Sequence, residues 1–157
     1  MKKTLLLLMA GLAVWIMSRL PHPAVDIGKL EPVELVLLTK TEQNIRVETD
    51  TGAWGEGTTL EEAVEHLKQA DSKEVFLDTA EKILIRGDLN GCWQEVWTLF
   101  RPAAQVCRIS GEIELTEAAA YLTMHPAGMT LGKIRAGGGN VEILMIKEGR
   151  GSIAKTG

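Results

Sequence analysis

The sequence predicts an α/β (α+β) protein with one small mixed sheet and about three packed helices, preceded by an N-terminal apolar helix. Three observations support this fold class. The length of 157 residues suits one domain of ordinary size. Short apolar runs typical of strands alternate with segments whose apolar residues recur at helical spacing. A composition of 45% hydrophobic and 24% charged residues excludes collagen-like, low-complexity and disulfide-dense chains.

Residues 1–20 are predicted to form an export segment. Lys2 and Lys3 precede an unbroken apolar run from Leu5 to Met17, which is typical of the basic and hydrophobic regions of a signal sequence. The following residues, Met17–Ala24, lack the small-residue pattern of a cleavage site. We therefore expect a signal anchor that crosses the cell membrane once, with a cleaved signal peptide as the open alternative. Because the lysines stay inside, the rest of the chain is expected to be extracytoplasmic.

A short extended spacer over residues 21–26 is predicted to follow, because Pro21 and Pro23 each disfavour helix in the preceding residue. A single α/β domain is then expected over residues 27–146, with a flexible tail over residues 147–157.

The domain is predicted to begin with a β-hairpin. Val33–Leu38 is apolar and rich in strand-forming residues, and Ile45–Thr49 alternates with a period of two. The polar residues 40–44 between them suit a hairpin connection.

A glycine-rich turn around Trp54 is predicted to lead into an amphipathic helix. Thr59 and Glu62 have the spacing of a capping box. The apolar residues that follow lie on one helical face: Leu60, Ala63, Val64 and Leu67.

The middle of the domain continues the alternation of strands and helices. Val75–Leu77 is compatible with a strand or a short helix, and Ile83–Ile85 indicates a strand. An amphipathic helix is expected from the spacing of Trp93, Val96, Trp97 and Phe100, ending before Pro102.

The last part of the domain is predicted to contain a strand, a helix and a final strand. Gln105–Ile109 indicates a strand, and Thr116 is expected to cap a helix that ends before Pro126. The apolar stretch Val141–Ile146 follows a glycine-rich segment.

The charge distribution argues against nucleic acid as a partner. Lys2, Lys3 and Arg19 precede every acidic residue. The 17 basic residues less these three leave 14 against 21 acidic residues, a net charge of −7 from Leu20 onward. A domain this acidic has no basic surface for a phosphate backbone.

Motifs for catalysis are not found, so we expect no enzymatic activity, no catalytic residues, no cofactor and no metal. His22, His66 and His125 lack the spacing of metal ligands. Gly52–Gly57 lacks the glycine order of a dinucleotide-binding loop, and Gly149–Ser152 lacks the lysine of a Walker loop.

Three residues are candidates for other roles. Cys92 and Cys107 can form a disulfide outside the cytoplasm, or each can be a small core residue. Trp54, placed among glycines, is a candidate anchor for a protein partner, since tryptophan is favoured at interfaces. The alternative is that Trp54 folds back over the hairpin and covers the core.

The order of these elements resembles that of the C subunits of spore germinant receptors, the Ger(x)C family. An export segment and a hairpin precede a Gly-x-Gly-x-Thr motif that opens a helix, here Gly55–Ala63. The apolar strand Lys82–Ile85, the Phe100-Arg101-Pro102 segment and the strand leading to Gly111 follow in the family's order. The resemblance covers the N-terminal domain of the family, without its lipobox cysteine and its later domains.

This resemblance implies a non-enzymatic extracytoplasmic module that acts in spore germination or sporulation envelope complexes. Its expected partner is an integral membrane or spore-envelope protein, and its expected location is the cell membrane, including that of the forespore or spore. An envelope-anchored adaptor or small-ligand-binding protein unrelated to sporulation is the alternative. A small extracytoplasmic enzyme is a third hypothesis, which requires a pocket with converging polar groups.

Overall fold

The structure is a computed structural model that describes residues 30–70, 74–137, 141–147 and 150–154. The predicted signal segment over residues 1–20 and the spacer over residues 21–26 lie outside the described residues. None of the helices in the described ranges has both the length and the hydropathy to cross a bilayer.

The described residues form nine strands and four α-helices. The strands are β1 (Leu30–Pro32), β2 (Leu35–Lys40), β3 (Ile45–Thr49), β4 (Trp54–Gly57), β5 (Glu74–Phe76), β6 (Lys82–Arg86), β7 (Gln105–Ile109), β8 (Glu142–Lys147) and β9 (Arg150–Ala154). The helices are α1 (Leu60–Ala70), α2 (Trp93–Leu99), α3 (Leu115–Met124) and α4 (Leu131–Arg135).

Seven strands form one mixed sheet in the order β4-β3-β2-β6-β7-β8-β9. The four central strands, β2, β6, β7 and β8, are parallel to one another. β3 and β4 continue the sheet antiparallel at one edge, and β9 does so at the other. β1 and β5 form a separate parallel pair. The predicted fold class, a mixed sheet with packed helices, is confirmed.

Helices cover both faces of the sheet. Successive side chains of a strand point to opposite faces, and both faces carry apolar residues that the helices bury. On β2, Val36 and Leu38 belong to the core on the first face, with residues from α1, α2 and α4. Leu35 and Leu37 belong to the core on the second face, with residues from α3. This central strand is therefore buried from both sides, as is typical of parallel strands in α/β proteins.

The first hairpin and the first helix are confirmed. β3 buries alternate residues and pairs antiparallel with β2. The buried residues of α1 are those of the predicted apolar face. Thr59 Oγ1 accepts a hydrogen bond from the Glu62 backbone N–H at 3.2 Å, as the capping box requires. The Glu62 carboxylate reaches back one residue further than predicted, to the hydroxyl and backbone N–H of Thr58, and these hydrogen bonds lower the pKa of Glu62.

The glycine-rich segment around Trp54 forms the edge strand β4 instead of the predicted turn. A Cβ on Gly55 would lie 2.2 Å from the Ala63 carbonyl oxygen, and one on Gly57 would lie 2.7 Å from the Ala63 nitrogen. The two glycines therefore let α1 pack directly against the backbone of β4. Glycine has a low strand propensity, so the periodicity of the sequence did not indicate this strand.

The Val75–Leu77 segment, which the sequence left ambiguous, contains both structures. β5 ends at Phe76, and Leu77 begins a 3-10 turn that runs to Thr79.

The N-cap of α3 differs from the predicted one. Glu114, and not Thr116, is the N-cap: its carboxylate accepts hydrogen bonds from the backbone N–H of Glu117 at 2.9 Å and of Thr116 at 3.3 Å. The Thr116 hydroxyl also donates to this carboxylate and, with the two N–H groups, lowers the pKa of Glu114. Two carboxylate oxygens satisfy more of the free N–H groups of the first turn than one hydroxyl.

Two elements near the C-terminus were not predicted. α4 is a five-residue helix, and its Leu131 belongs to the core on the first face. β9 comprises Arg150–Ala154, which lie within the tail that was predicted to be flexible. This strand pairs antiparallel with β8. The α4 segment has only five residues, and β9 contains Gly151, a residue type that is depleted in strands, so packing and pairing decide their structure more than their sequence pattern does.

Candidate partner-binding face

Part of the second face extends past α3, from β4 across β3 to the C-terminal ends of β2 and β6. We call this area the open face, and its residues are Thr39, Arg46, Glu48, Trp54, Glu56 and Arg86. Because Ile45 and Val47 point to the core on the first face, Arg46 and Glu48 point to the second.

Trp54 is exposed at the edge of the open face. It keeps 52% of its surface accessible, more than expected for a residue that covers the core. The Arg46 guanidinium carbon lies 4.6 Å from the centre of its ring, which is a cation–π contact. Arg46 Nη2 also donates to Glu48 Oε1 at 2.8 Å. Trp54 and Arg46 are therefore held together on the surface.

A row of three polar residues crosses the open face next to this pair. Thr39 on β2 lies opposite Arg46 on β3 and, on its other side, opposite Arg86 on β6. Arg86 Nη2 donates to the Gly111 carbonyl at 3.1 Å. Three buried atoms of the row have no hydrogen-bond partner among the described residues: Thr39 Oγ1, Arg46 Nε and Arg86 Nε.

Two cavities adjoin α1. One of about 300 Å³ lies beside Trp54 and is lined by Thr51, Gly52, Ala53, Trp54 and Ala70. The other, of about 460 Å³, lies where α1, β5 and α2 meet, and is lined by Val64, Lys68, Val75, Phe76, Leu77, Asp78 and Leu99. The first cavity extends the surface around Trp54.

The two cysteines lie on opposite faces of the sheet. Cys92 belongs to the core on the first face and Cys107 to the core on the second, and both are free thiols. The sheet separates them, so the structure matches their interpretation as small core residues and not as a disulfide.

Lys40 Nζ donates to Cys92 Sγ at 3.1 Å. Burial, and to a smaller extent the charge of Glu142, raises the pKa of the Cys107 thiol to about 12.

The histidines in the described ranges have separate surroundings. His66 Nδ1 lies 2.6 Å from the Glu56 carbonyl oxygen, and the His125 ring lies 4.7 Å from that of Tyr121. His22 lies outside the described residues. Over the part of the chain that the structure describes, no group of three or more metal-ligating side chains comes together.

The sequence pattern did not indicate Thr39, Arg46 and Arg86 as candidate site residues. Arg46 occupies a solvent-side position of the alternating strand β3, so the period-two pattern could have placed it on a surface. Its neighbours Thr39 and Arg86 depend on the order of strands in the sheet, for which the pattern gives no signal.

Comparison with known proteins gives no match: no family model, curated protein or solved structure is significantly similar to this chain.

Proposed function

We propose that this protein is a non-enzymatic, membrane-anchored extracytoplasmic module that binds a protein partner through its open face. The observation that carries the proposal is the exposure of Trp54 beside Arg46. Tryptophan and arginine are the residue types most enriched among the residues that dominate binding energy at protein interfaces.

The surroundings of Trp54 support its role in binding a protein partner. Its contact with Arg46 and the contact of Arg46 with Glu48 hold both long side chains in place before a partner arrives. A surface that is ordered in advance loses less conformational entropy on binding. The neighbouring cavity of about 300 Å³ gives a partner side chain room beside the indole ring.

The proposed biological setting is an envelope complex of sporulation or spore germination, with an integral membrane or spore-envelope protein as the partner. The Gly-x-Gly-x-Thr motif and the order of elements around it support this setting. The alternative is a general envelope adaptor or small-ligand-binding protein. Transcription confined to the forespore supports the first setting, and strong vegetative expression contradicts it.

Substitution of Trp54 tests the binding proposal. The Trp54→Ala variant should retain wild-type thermal stability, because the side chain is half exposed, but should no longer co-purify the partner from solubilised membranes. Met124→Ala is a matched control, since Met124 is an exposed apolar residue on α3 with 71% of its surface accessible. A Trp54→Ala protein that retains the partner, or that loses about 3 kcal/mol of stability as a core residue would, contradicts the proposal.

A further inference from the structure

We infer that Lys40 and Cys92 form a redox-sensitive cross-link, in which hydrogen peroxide oxidises the Cys92 thiol and the Lys40 amine then bonds to the sulfur. This modification site lies on the first face of the sheet, away from the open face, and goes beyond the proposed function. The observation that supports it is the contact of Lys40 Nζ with Cys92 Sγ at 3.1 Å.

The fold brings these two side chains together from distant parts of the chain. Lys40 is the last residue of β2, and the alternation of this strand places it on the first face with Val36 and Leu38. Cys92 directly precedes α2, which follows β6 and packs on the same face. Because β2 and β6 are parallel neighbours, the end of β2 lies beside the segment that leads from β6 to α2.

The segment between β6 and α2 holds the Lys40 amine at the sulfur. Lys40 Nζ also donates to the Asn90 carbonyl at 2.9 Å, so two acceptors fix its position. A Cβ on Gly87 would lie 2.6 Å from the Lys40 carbonyl oxygen, so the segment also packs on the lysine backbone. Among the described residues, no carboxylate lies within ion-pair distance of Lys40. The sulfur atom is therefore its side-chain partner in this part of the chain.

Cys92 lies close enough to the surface for a small oxidant to reach it. It keeps 7% of its surface accessible, whereas Cys107 keeps 1%. Asn90 and Gly91, which precede Cys92, are exposed, and Lys40 is half-buried. Burial raises the pKa of the Cys107 thiol to about 12, which keeps that thiol protonated and unreactive. Because oxidation of a cysteine depends on its exposure, Cys92 is the thiol that peroxide reaches first.

The first step oxidises the sulfur. Hydrogen peroxide, the co-reactant, transfers one oxygen atom to the Cys92 thiol: the O–O bond breaks, an S–O bond forms and one water molecule leaves. The sulfur loses two electrons, which the peroxide gains. The product is a sulfenic acid.

The second step joins the two side chains without further oxidation. Lys40 gives one proton to water, while the Asn90 carbonyl keeps a hydrogen bond from the amine, so the nitrogen lone pair can face Cys92. This lone pair attacks the sulfenic sulfur, and the N–S bond forms as the S–O bond breaks. The departing hydroxide takes a proton from the amine and leaves as water. Sulfenic acids condense with a nearby nitrogen in this way to give a sulfenamide.

The cross-link ties the end of β2 to the start of α2. Like a disulfide, it closes the segment over residues 40–92 into a loop and lowers the entropy of the unfolded chain. It also consumes the sulfenic acid before a second peroxide can oxidise it irreversibly to a sulfinic acid. The pair therefore gives the domain a reversible response to oxidants, with a more stable fold and a protected thiol.

The test treats the full chain in detergent micelles with hydrogen peroxide and maps the products by digestion and tandem mass spectrometry. We expect the peptides that contain Lys40 and Cys92 to appear joined, with the sum of their masses less two hydrogen atoms. A reducing thiol should release both peptides unchanged. Oxidation of Cys92 without a link, a link from Cys92 to any other residue, or no oxidation of Cys92 overturns the inference.

The Lys40→Arg variant separates the reactivity of the amine from its charge. Arginine keeps the positive charge and the donors, but its guanidinium stays protonated and cannot attack the sulfur. After peroxide treatment the variant should contain no link and several-fold more Cys92 sulfenic and sulfinic acid than the wild type. Lys68→Arg is the matched control, because Lys68 is an exposed lysine on α1, and it should cross-link like the wild type. Equal oxidation of Cys92 in Lys40→Arg and the wild type overturns the inference.

Urea unfolding measures the effect of the link on stability. The oxidised wild type should unfold at a higher urea concentration than the reduced protein, and a reducing thiol should restore the original midpoint. Cys107→Ala keeps the pair and should show the same shift, whereas Cys92→Ala should show none. An unchanged midpoint in the oxidised wild type, or a shift that Cys92→Ala retains, contradicts the stabilising role of the link.

Discussion

Cys107 is the residue whose ionisation the fold changes most clearly. It is 1% exposed between β6 and β8, and burial together with the charge of Glu142 raises its pKa to about 12. In an unfolded chain a thiol ionises near a pKa of about 8.5. Between these two values the native state binds more protons than the unfolded state. The free energy of unfolding therefore falls as the pH rises through this range, and the thiol's contribution is complete below it.

We predict that Cys107→Ala removes this part of the pH dependence. Urea unfolding at increasing pH should show a smaller loss of stability in the variant than in the wild type above a pH of about 8.5. Val106→Ala, at the neighbouring buried position on β7, controls for lost packing because it keeps the thiol. A Cys107→Ala protein with the wild-type slope over the alkaline range contradicts the assignment.

At the scale of elements, the contact of α1 with β4 organises one end of the sheet. Gly55 and Gly57 on the strand point towards the helix, and their alternation leaves Trp54 and Glu56 on the open face. The glycines therefore have a structural role, in close packing, that also determines which side chains are exposed for binding.

We predict that Gly55→Ala strongly destabilises the protein. A Cβ at this position would lie 2.2 Å from a backbone oxygen of α1, so the helix must move away from the strand. The cost should lie at or above the upper end of about 1–3 kcal/mol for overpacking, measured by chemical unfolding. Gly111→Ala is the comparison, because Gly111 has a φ of +91° and no atom within 4 Å of its Cβ position. Equal losses in the two variants would contradict the prediction, because the clash with α1 would then cost no more than the backbone strain of alanine at the positive φ of Gly111.

At the scale of the whole molecule, the proposed anchor would place the open face on the outer side of the membrane. The export segment over residues 1–20 is expected to hold the chain in the membrane, with the folded domain outside the cytoplasm. A partner in the same membrane then meets the domain at a high local concentration, which compensates for a small interface.

We predict that the full chain sediments with membranes and resists carbonate extraction. Protease added from outside the cell should degrade the C-terminal domain while leaving cytoplasmic marker proteins intact. A soluble form that begins between Leu20 and Val25 would show that the signal is cleaved and would contradict the anchor.

The sequence by itself determined the elements whose local pattern is strong. The alternation of β3 and the apolar face of α1 appear in the structure with the expected residues buried. These patterns are local, because a period of two or of 3.6 residues depends only on which side of one element is buried.

The tertiary structure decided the edge strands and the candidate site. β4 is glycine-rich and β9 contains Gly151, and each forms because a neighbouring strand supplies its hydrogen bonds. Thr39 and Arg86 are far apart in the chain, and the parallel pairing of β2 with β6 places them side by side. Local patterns carry no information on which strands pair or in which register, because pairing depends on how the whole chain buries its apolar surface.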